Sequence, residues 1–140
     1  MAADPQCIFC KIVAGEIPSA RVAESDTAYA FMDIGPIATG HTLVVPKDHY
    51  VGVEDAPPEV VAAVHELASR IAPALKQAVG AEGLNVLQNN GHCAGQVVMH
   101  LHVHLIPRWG TDGLDWPWPS KQADPAELKR IAGKVAAMIG

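Results

Sequence analysis

The chain has 140 residues, 49% hydrophobic and 18% charged, and carries a net charge of −5 at pH 7. That length suits one domain with a real core and is short for two. Ten Lys and Arg against fifteen Asp and Glu argue against charge-driven binding to nucleic acid or an anionic membrane, and no apolar run is long enough to cross a bilayer.

Met1 to Gln6 lack the basic stretch and apolar run of a secretion signal, so a soluble cytoplasmic protein is expected. The cysteines are three, an odd number, and two of them form Cys7-Ile8-Phe9-Cys10. Without a secretion signal, that spacing favours metal or redox chemistry over a disulfide framework. The apolar Ile8, Phe9 and Ile12 should pack this segment on the core. Gly15 and Pro18 punctuate a turn. Ala20–Glu24 and Thr27–Met32 then read as a hairpin around Ser25-Asp26. Asp33 to Gly40 is a loop marked by Gly35, Pro36 and Gly40. His41–Pro46 is a short strand with a buried run at Leu43, Val44 and Val45.

Asp55 to Gly80 is expected to be a helix. Pro57 and Pro58 stand at its start, where missing N–H groups do little harm, and Glu59 suits the first turn. Val60, Val61, Val64, Leu67, Ala68 and Ile71 follow the helical period. Pro73 should bend it without breaking it, because Leu75, Lys76 and Val79 resume the pattern; Gly80 and Gly83 close it. Leu84–Gln88 reads as a strand, Asn89–Gly95 as a glycine loop and Val97–Pro107 as another strand. A Gly/Trp/Pro tail from Trp109 to Pro119 has no periodicity. Asp124-Pro125-Ala126-Glu127 starts a last helix as N-cap, N1 proline and capping-box acid, with Leu128, Ile131, Val135 and Met138 along one face. No internal repeat is present. One domain over residues 1–140 is expected, of class α+β with a mainly antiparallel sheet.

The chemistry concentrates in Val97–Pro107. His100, His102 and His104 sit two apart, with Leu101, Val103, Leu105 and Ile106 between and after them. A strand sends alternate side chains to opposite faces, so one face would carry three imidazoles and the other branched aliphatics. In a helix, at roughly 100° per residue, no face would carry all three. Burying a cluster of imidazoles costs desolvation, and repulsion if two are charged. Two functional readings therefore stand: a metal site, or nucleophilic and acid–base catalysis by groups whose ordinary pKa lies near neutrality. The phosphate-cradling motifs GxxxxGK[ST] and GxGxxG are absent, as is the GxSxG elbow. His65 on the long helix, and His92 and Cys93 in the glycine loop, read as solvated or loop residues.

His100-Leu-His102-Val-His104-Leu-Ile resembles the HφHφHφφ signature (φ apolar) of the histidine triad, or HIT, family of nucleotide hydrolases and transferases. Similar stretches recur at Ile8 to Ile12, Gly15 to Pro18, Phe31 to Ile34, His41 to Lys47 and Gly95-Gln96, so the likeness covers about Cys7 to Arg108. It implies a HIT-like fold, with a five-stranded sheet, one long central helix and a C-terminal helix. It also implies cleavage of a nucleoside 5′-phosphoryl bond through a nucleotidyl-histidine intermediate. His102 then matches the nucleophile, His104 the phosphate-side partner and His41 an additional active-site histidine. Asn89 and Gln96 match polar residues beside the phosphate. Asp33 resembles the acid that holds the ribose hydroxyls. Ile8, Phe9, Phe31, Ile34 and Leu43 resemble the walls of a purine slot. Several relatives bind structural zinc at positions matching Cys7, Cys10, His49 and His100. The family also implies a homodimer, its sheets paired edge to edge, in which a C-terminal tryptophan (Trp116 or Trp118 here) can reach the partner. Val97 is a departure: many phosphoramidase members carry Ser or Thr there, which leaves phosphoramidates, dinucleoside polyphosphates and other nucleotidyl esters open as substrates. A purine-nucleotide-binding or protein-interaction module without catalysis is the alternative.

Overall fold

The computed structural model describes residues 3–114 and 124–138. The CxxC segment packs on the core as expected, and does so as a short helix, α1 (Ile8–Val13). The Cys7 thiol caps it by accepting from the Cys10 N–H at 3.4 Å, which satisfies one of the donors a helix start leaves open.

Five strands follow: β1 (Arg21–Glu24), β2 (Ala28–Met32), β3 (Thr42–Pro46), β4 (Gly83–Gln88) and β5 (Val103–Arg108). They form one antiparallel sheet in the order β1-β2-β3-β5-β4. The hairpin around Ser25-Asp26 is present, with the Ser25 hydroxyl accepting from the Ala28 N–H at 3.0 Å. Gly83 begins β4 and does not close the preceding helix. The histidine strand begins later than its alternation suggests. Only Val103–Arg108 pairs in the sheet, and His100 to His102 form an irregular approach to it. The Leu101 N–H is taken by the Tyr50 carbonyl at 2.7 Å, so this stretch is held by a loop and not by a ladder.

The long helix, α2 (Pro58–Val79), runs through Pro73 without interruption and ends on Gly80, whose φ of 65° supplies the left-handed cap. Its buried side, Val64, Leu67, Ala68, Ile71 and Leu75, lies on one sheet face against Ala28, Ala30, Val44, Val103 and Leu105. Each buried Leu, Ile or Val there contributes about 1.5–3 kcal/mol. At Gly40 the β2–β3 loop presses on this helix. Its φ is +88°, and a Cβ would meet Val79, Leu75 and Pro107 side chains at 3.1–3.2 Å, so only glycine fits the bend that delivers His41 to the start of β3.

The other sheet face is only partly covered. Cys7, Phe9, Cys10 and Ile12 from the α1 segment pack on Tyr29, Phe31, Leu43 and Val45. The same face continues across β5 and β4, where Leu43 is paired with His104 and His104 with Leu87. Nothing among the described elements lies over that part, and the open half becomes a cleft. A last helix, α3 (Pro125–Met138), begins as expected, with Asp124 Oδ1 accepting from the Ala126 N–H at 3.0 Å. Trp116 and Trp118, the side chain of the expected capping-box acid Glu127 and the apolar side chains expected along α3 lie outside what is described.

Candidate active site

The cleft holds about 510 Å³. Ile8 and Phe9 of α1, Phe31 of β2 and Leu43 of β3 line one end, with Asp33 and Ile34 at the rim. His104 and Ile106 of β5 and Leu87 of β4 lie along the sheet with His102 just ahead of β5, and Asn89, Gly95 and Val97 border the other end. Asp33 is the one formally charged side chain among the described lining residues. The slot therefore suits a flat apolar ring, with a hydrogen-bonding group beside it. Ile106 shares the histidine face. Counting by twos from His102 places it there, although the apolar neighbours of the triad read at first as a single row. Leu87 was not legible beforehand, since its place depends on the β4–β5 register.

Hydrogen-bond partners fix the proton on each ring. The His102 Nδ1 lies 2.8 Å from the His100 carbonyl oxygen, so Nδ1 carries the proton and Nε2 keeps its lone pair. His102 is 6% exposed and borders the cleft. The Ile37 N–H donates to His41 Nδ1 at 3.1 Å, which leaves the neutral ring's proton on Nε2. That Nε2–H reaches His104 Nδ1 at 2.9 Å, so His104 in turn carries its proton on Nε2. The result is a nucleophile-competent nitrogen on His102 and a donor on His104, with their ring centroids 4.8 Å apart. Asp33 Oδ1 accepts from the Gly35 N–H at 2.8 Å, and Oδ2 is 3.6 Å from His41 Nε2. Asp33, His41 and His104 could also gather around a cation. However, His41 uses one nitrogen to accept from the backbone and the other to donate, and a metal would break one of those bonds.

Burial holds the pKa values of His41 and His102 below 6.5, with the Asp33 charge opposing it in both. Burial, with the neighbouring His102 and His41, takes His104 down to about 4. These rings are therefore neutral at pH 7, as a lone-pair nucleophile requires. A stability consequence follows. Between pH 6.5 and about 4 the unfolded chain binds a proton that the folded His104 refuses, and the lowered His41 acts in the same direction, so stability present above pH 6.5 is lost as pH falls. The zinc-free chain should melt at a lower temperature at pH 5 than at pH 7.5, and His104→Gln should shrink that difference. An equal or larger difference in the variant would contradict the assignment.

Gln96 departs from its expected place at the nucleotide. It is 1% exposed. Its Oε1 accepts from the Gly91 N–H at 2.7 Å, and its Nε2 donates to the Val51 and Val98 carbonyls at 2.6 and 3.1 Å. Its side chain braces the glycine loop from behind. Asn89 does border the cleft, with Nδ2 3.4 Å from the Gly95 carbonyl. Val97 is 83% exposed at the mouth. His65, His92 and Cys93 are exposed, as expected of solvated residues.

A second cluster lies behind Phe9. Cys7 Sγ is 3.3 Å and Cys10 Sγ 3.5 Å from His100 Nδ1. His49 Nδ1 is 3.4 Å from Cys10 Sγ and 3.2 Å from His100 Nδ1. The His100 Nε2–H donates to the Pro46 carbonyl at 2.9 Å, so its Nδ1 faces the cluster without a proton. All four residues are buried. Zinc with Zn–S of about 2.3 Å and Zn–N of about 2.0 Å spaces a tetrahedral nitrogen–nitrogen or sulfur–nitrogen pair by roughly 3.3–3.5 Å. The donor set fits that requirement. Burial also raises the Cys10 thiol pKa and takes His100 down to about 4, both of which keep uncompensated charge out of the cluster.

An antiparallel sheet with a long helix on one face and a histidine-lined nucleotide-sized cleft on the other defines the class. Residues 14–111 match the family model described as HIT domain. The protein hit of Bacillus subtilis is 43% identical over 136 residues, covering 95% of this chain and 94% of that one. The adenosine 5′-monophosphoramidase hnt1 of Schizosaccharomyces pombe is 40% identical over 134 residues, covering 95% and 98%. Among solved structures, SMU.412c from Streptococcus mutans superposes with a TM-score of 0.93 at 39% identity, over 99% of this chain and 88% of that chain. A zinc-bound histidine triad family protein from Mycobacterium smegmatis gives a TM-score of 0.76 at 37% identity, over 94% and 97%. The chain belongs to the HIT domain family.

Proposed function

We propose that this protein is a nucleotide hydrolase and nucleotidyltransferase that acts by covalent catalysis at His102. The observation that carries this reading is the orientation of that ring: Nδ1–H is held by the His100 carbonyl, while the unprotonated Nε2 is free for the cleft. The purine stacks between the walls at Ile8, Phe9, Phe31, Ile34 and Leu43, and the ribose diol donates to Asp33. In the first displacement, Nε2 forms a bond to the α-phosphorus as the bond to the leaving group breaks. His104 Nε2–H donates to the leaving atom or to a phosphate oxygen, with His41 behind it fixing the tautomer. Water then breaks the P–N bond and releases the nucleoside monophosphate. Each displacement is easier than a single attack by water, and the preset donors stabilise charge that grows on the phosphoryl oxygens. The relative named adenosine 5′-monophosphoramidase supports adenosine phosphoramidate as a substrate.

The test is turnover of a panel containing adenosine phosphoramidate and diadenosine polyphosphates, with AMP release measured. Absence of turnover on every member, with AMP still bound, would favour the binding-module alternative. Val97 offers no hydroxyl to the bridging atom. Val97→Ser should raise the phosphoramidate rate relative to the polyphosphate rate by about fivefold, since one added hydrogen bond is worth about 1 kcal/mol. An unchanged ratio would remove Val97 from substrate selection.

Zinc held by Cys7, Cys10, His49 and His100 is part of the same proposal. The zinc-bound relative and the spacing of the donors support it. When bound, the ion supplies rigidity: it ties α1 to the segment leading into β5. We also read the chain as one domain that resides in the cytoplasm, pairs as a homodimer through an open sheet edge and neither spans a membrane nor binds nucleic acid. No described helix is long and apolar enough to cross a membrane.

A further inference from the structure

Phe9 stands between the two cysteines and is 6% exposed. Its ring packs edge-on to three others, with centroids 5.5 Å from Phe31, 5.8 Å from His100 and 5.1 Å from His102. Those three rings belong to different parts: the wall of the slot, the thiol–imidazole cluster, and the histidine that reacts. One side chain touches all of them.

The helix that carries Phe9 has six residues, too few to hold its shape without outside contacts. Its position is set by its attachments, and two of these are the Cys7 and Cys10 sulfurs that converge on His49 and His100. His100 has three attachments of its own. Its Nδ1 faces the cluster, its Nε2–H donates to Pro46, and its carbonyl accepts from His102 Nδ1–H. Without a metal, thiol protons must fill the space between sulfurs and imidazole nitrogens. A bound ion replaces them with bonds of fixed length and angle, and both Phe9 and the His100 carbonyl lose freedom.

From this geometry we infer that metal occupancy of the Cys7/Cys10/His49/His100 cluster and nucleotide occupancy of the cleft are one linked equilibrium, with Phe9 and the His100 main chain as the coupling element. The inference rests on the nucleotide-binding reading above. A base stacked in the slot presses on the same ring that the metal positions, so each ligand preorganises the protein for the other. Thermodynamic linkage requires the two effects to be equal: zinc raises nucleotide affinity by the factor by which nucleotide raises zinc affinity. Phe9 is here a positioning residue for the metal side and a wall for the base.

The experiment uses the full chain with zinc and AMP as probes. AMP affinity is measured by calorimetry on zinc-loaded and chelator-stripped protein. Zinc affinity is measured by competition with a chromogenic chelator, with and without saturating AMP. Both should shift by the same factor, on the order of tenfold. Phe9→Ala leaves all four metal ligands in place, so it should still bind zinc while the factor falls toward one. Phe9→Leu refills most of the volume but not the three edge contacts, and should lower the factor even if the alanine variant fails to fold. Equal AMP affinity in loaded and stripped protein, or an undiminished factor in the Phe9 variants, overturns the linkage and leaves the proposed function standing. Failure of AMP to bind either form overturns the nucleotide reading itself, and the linkage with it.

Discussion

His102→Ala should abolish turnover of adenosine phosphoramidate and diadenosine polyphosphates while AMP still binds. Loss of a covalent nucleophile costs rate and not merely affinity, and kcat should fall by at least about 10⁴-fold. The remaining wall residues and Asp33 are untouched by the change, so AMP affinity should move far less than kcat. The asymmetry is informative because His102 is surrounded by other imidazoles. If His104 or His41 could take over the attack, the loss would be modest. Both are poorly suited to do so: His104 Nδ1 accepts from His41, and His41 Nδ1 accepts from the Ile37 N–H, which leaves each ring's remaining nitrogen protonated. Steady-state rates on both substrates, with calorimetric binding of AMP as the control, decide the matter. A kcat within tenfold of wild type would remove His102 from the nucleophile's role.

Removing the metal cluster should produce the largest change in stability. Cys7→Ser and Cys10→Ser each take away one of the two thiolate ligands that a closed tetrahedral site requires, and elemental analysis should find zinc in the parent chain and little in either variant. At a free zinc concentration a thousand times Kd, binding to the folded state alone stabilises by about 4 kcal/mol, roughly 10–15 °C in Tm for a chain of this size. Chelation of the parent chain should therefore reproduce the variants' Tm. Negligible metal in all three proteins, with one common Tm, would remove zinc. The cluster would then be a set of thiol–imidazole contacts in a small core.

Much of this molecule is legible in the sequence because its signals are local. The helical period from Val60 to Ile71 and the double proline before it specify α2. The Ser25-Asp26 turn specifies the first hairpin. The alternation of His102 and His104 shows that their rings share one side of the chain, although only His104 lies within β5. What is not legible depends on register and on competition for hydrogen bonds. Leu87 reaches the cleft only because β4 pairs with β5 opposite His104, a pairing of residues that no local pattern announces. Gln96 looks like a ligand for phosphate, yet its amide is consumed by Gly91, Val51 and Val98. A polar side chain in a glycine loop can serve the loop or the substrate, and only the partners decide. The three histidines look equivalent in the sequence. Their hydrogen bonds divide them: His100 turns its bare nitrogen to the cysteines, His102 leaves its bare nitrogen for the cleft, and His104 is left as a donor. The division follows from three backbone partners, Pro46 O, His100 O and Ile37 N.

Trapping the intermediate tests covalent catalysis most directly. The protein is mixed with adenosine phosphoramidate, quenched in alkali within the first turnover to spare the P–N bond, digested and weighed by mass spectrometry. The peptide containing His102 should gain the mass of one adenylyl group, and the gain should be absent in His102→Ala. Substrate consumed in the first turnover with no adenylylated peptide at any quench time, or with the group on another residue, would contradict covalent catalysis at His102.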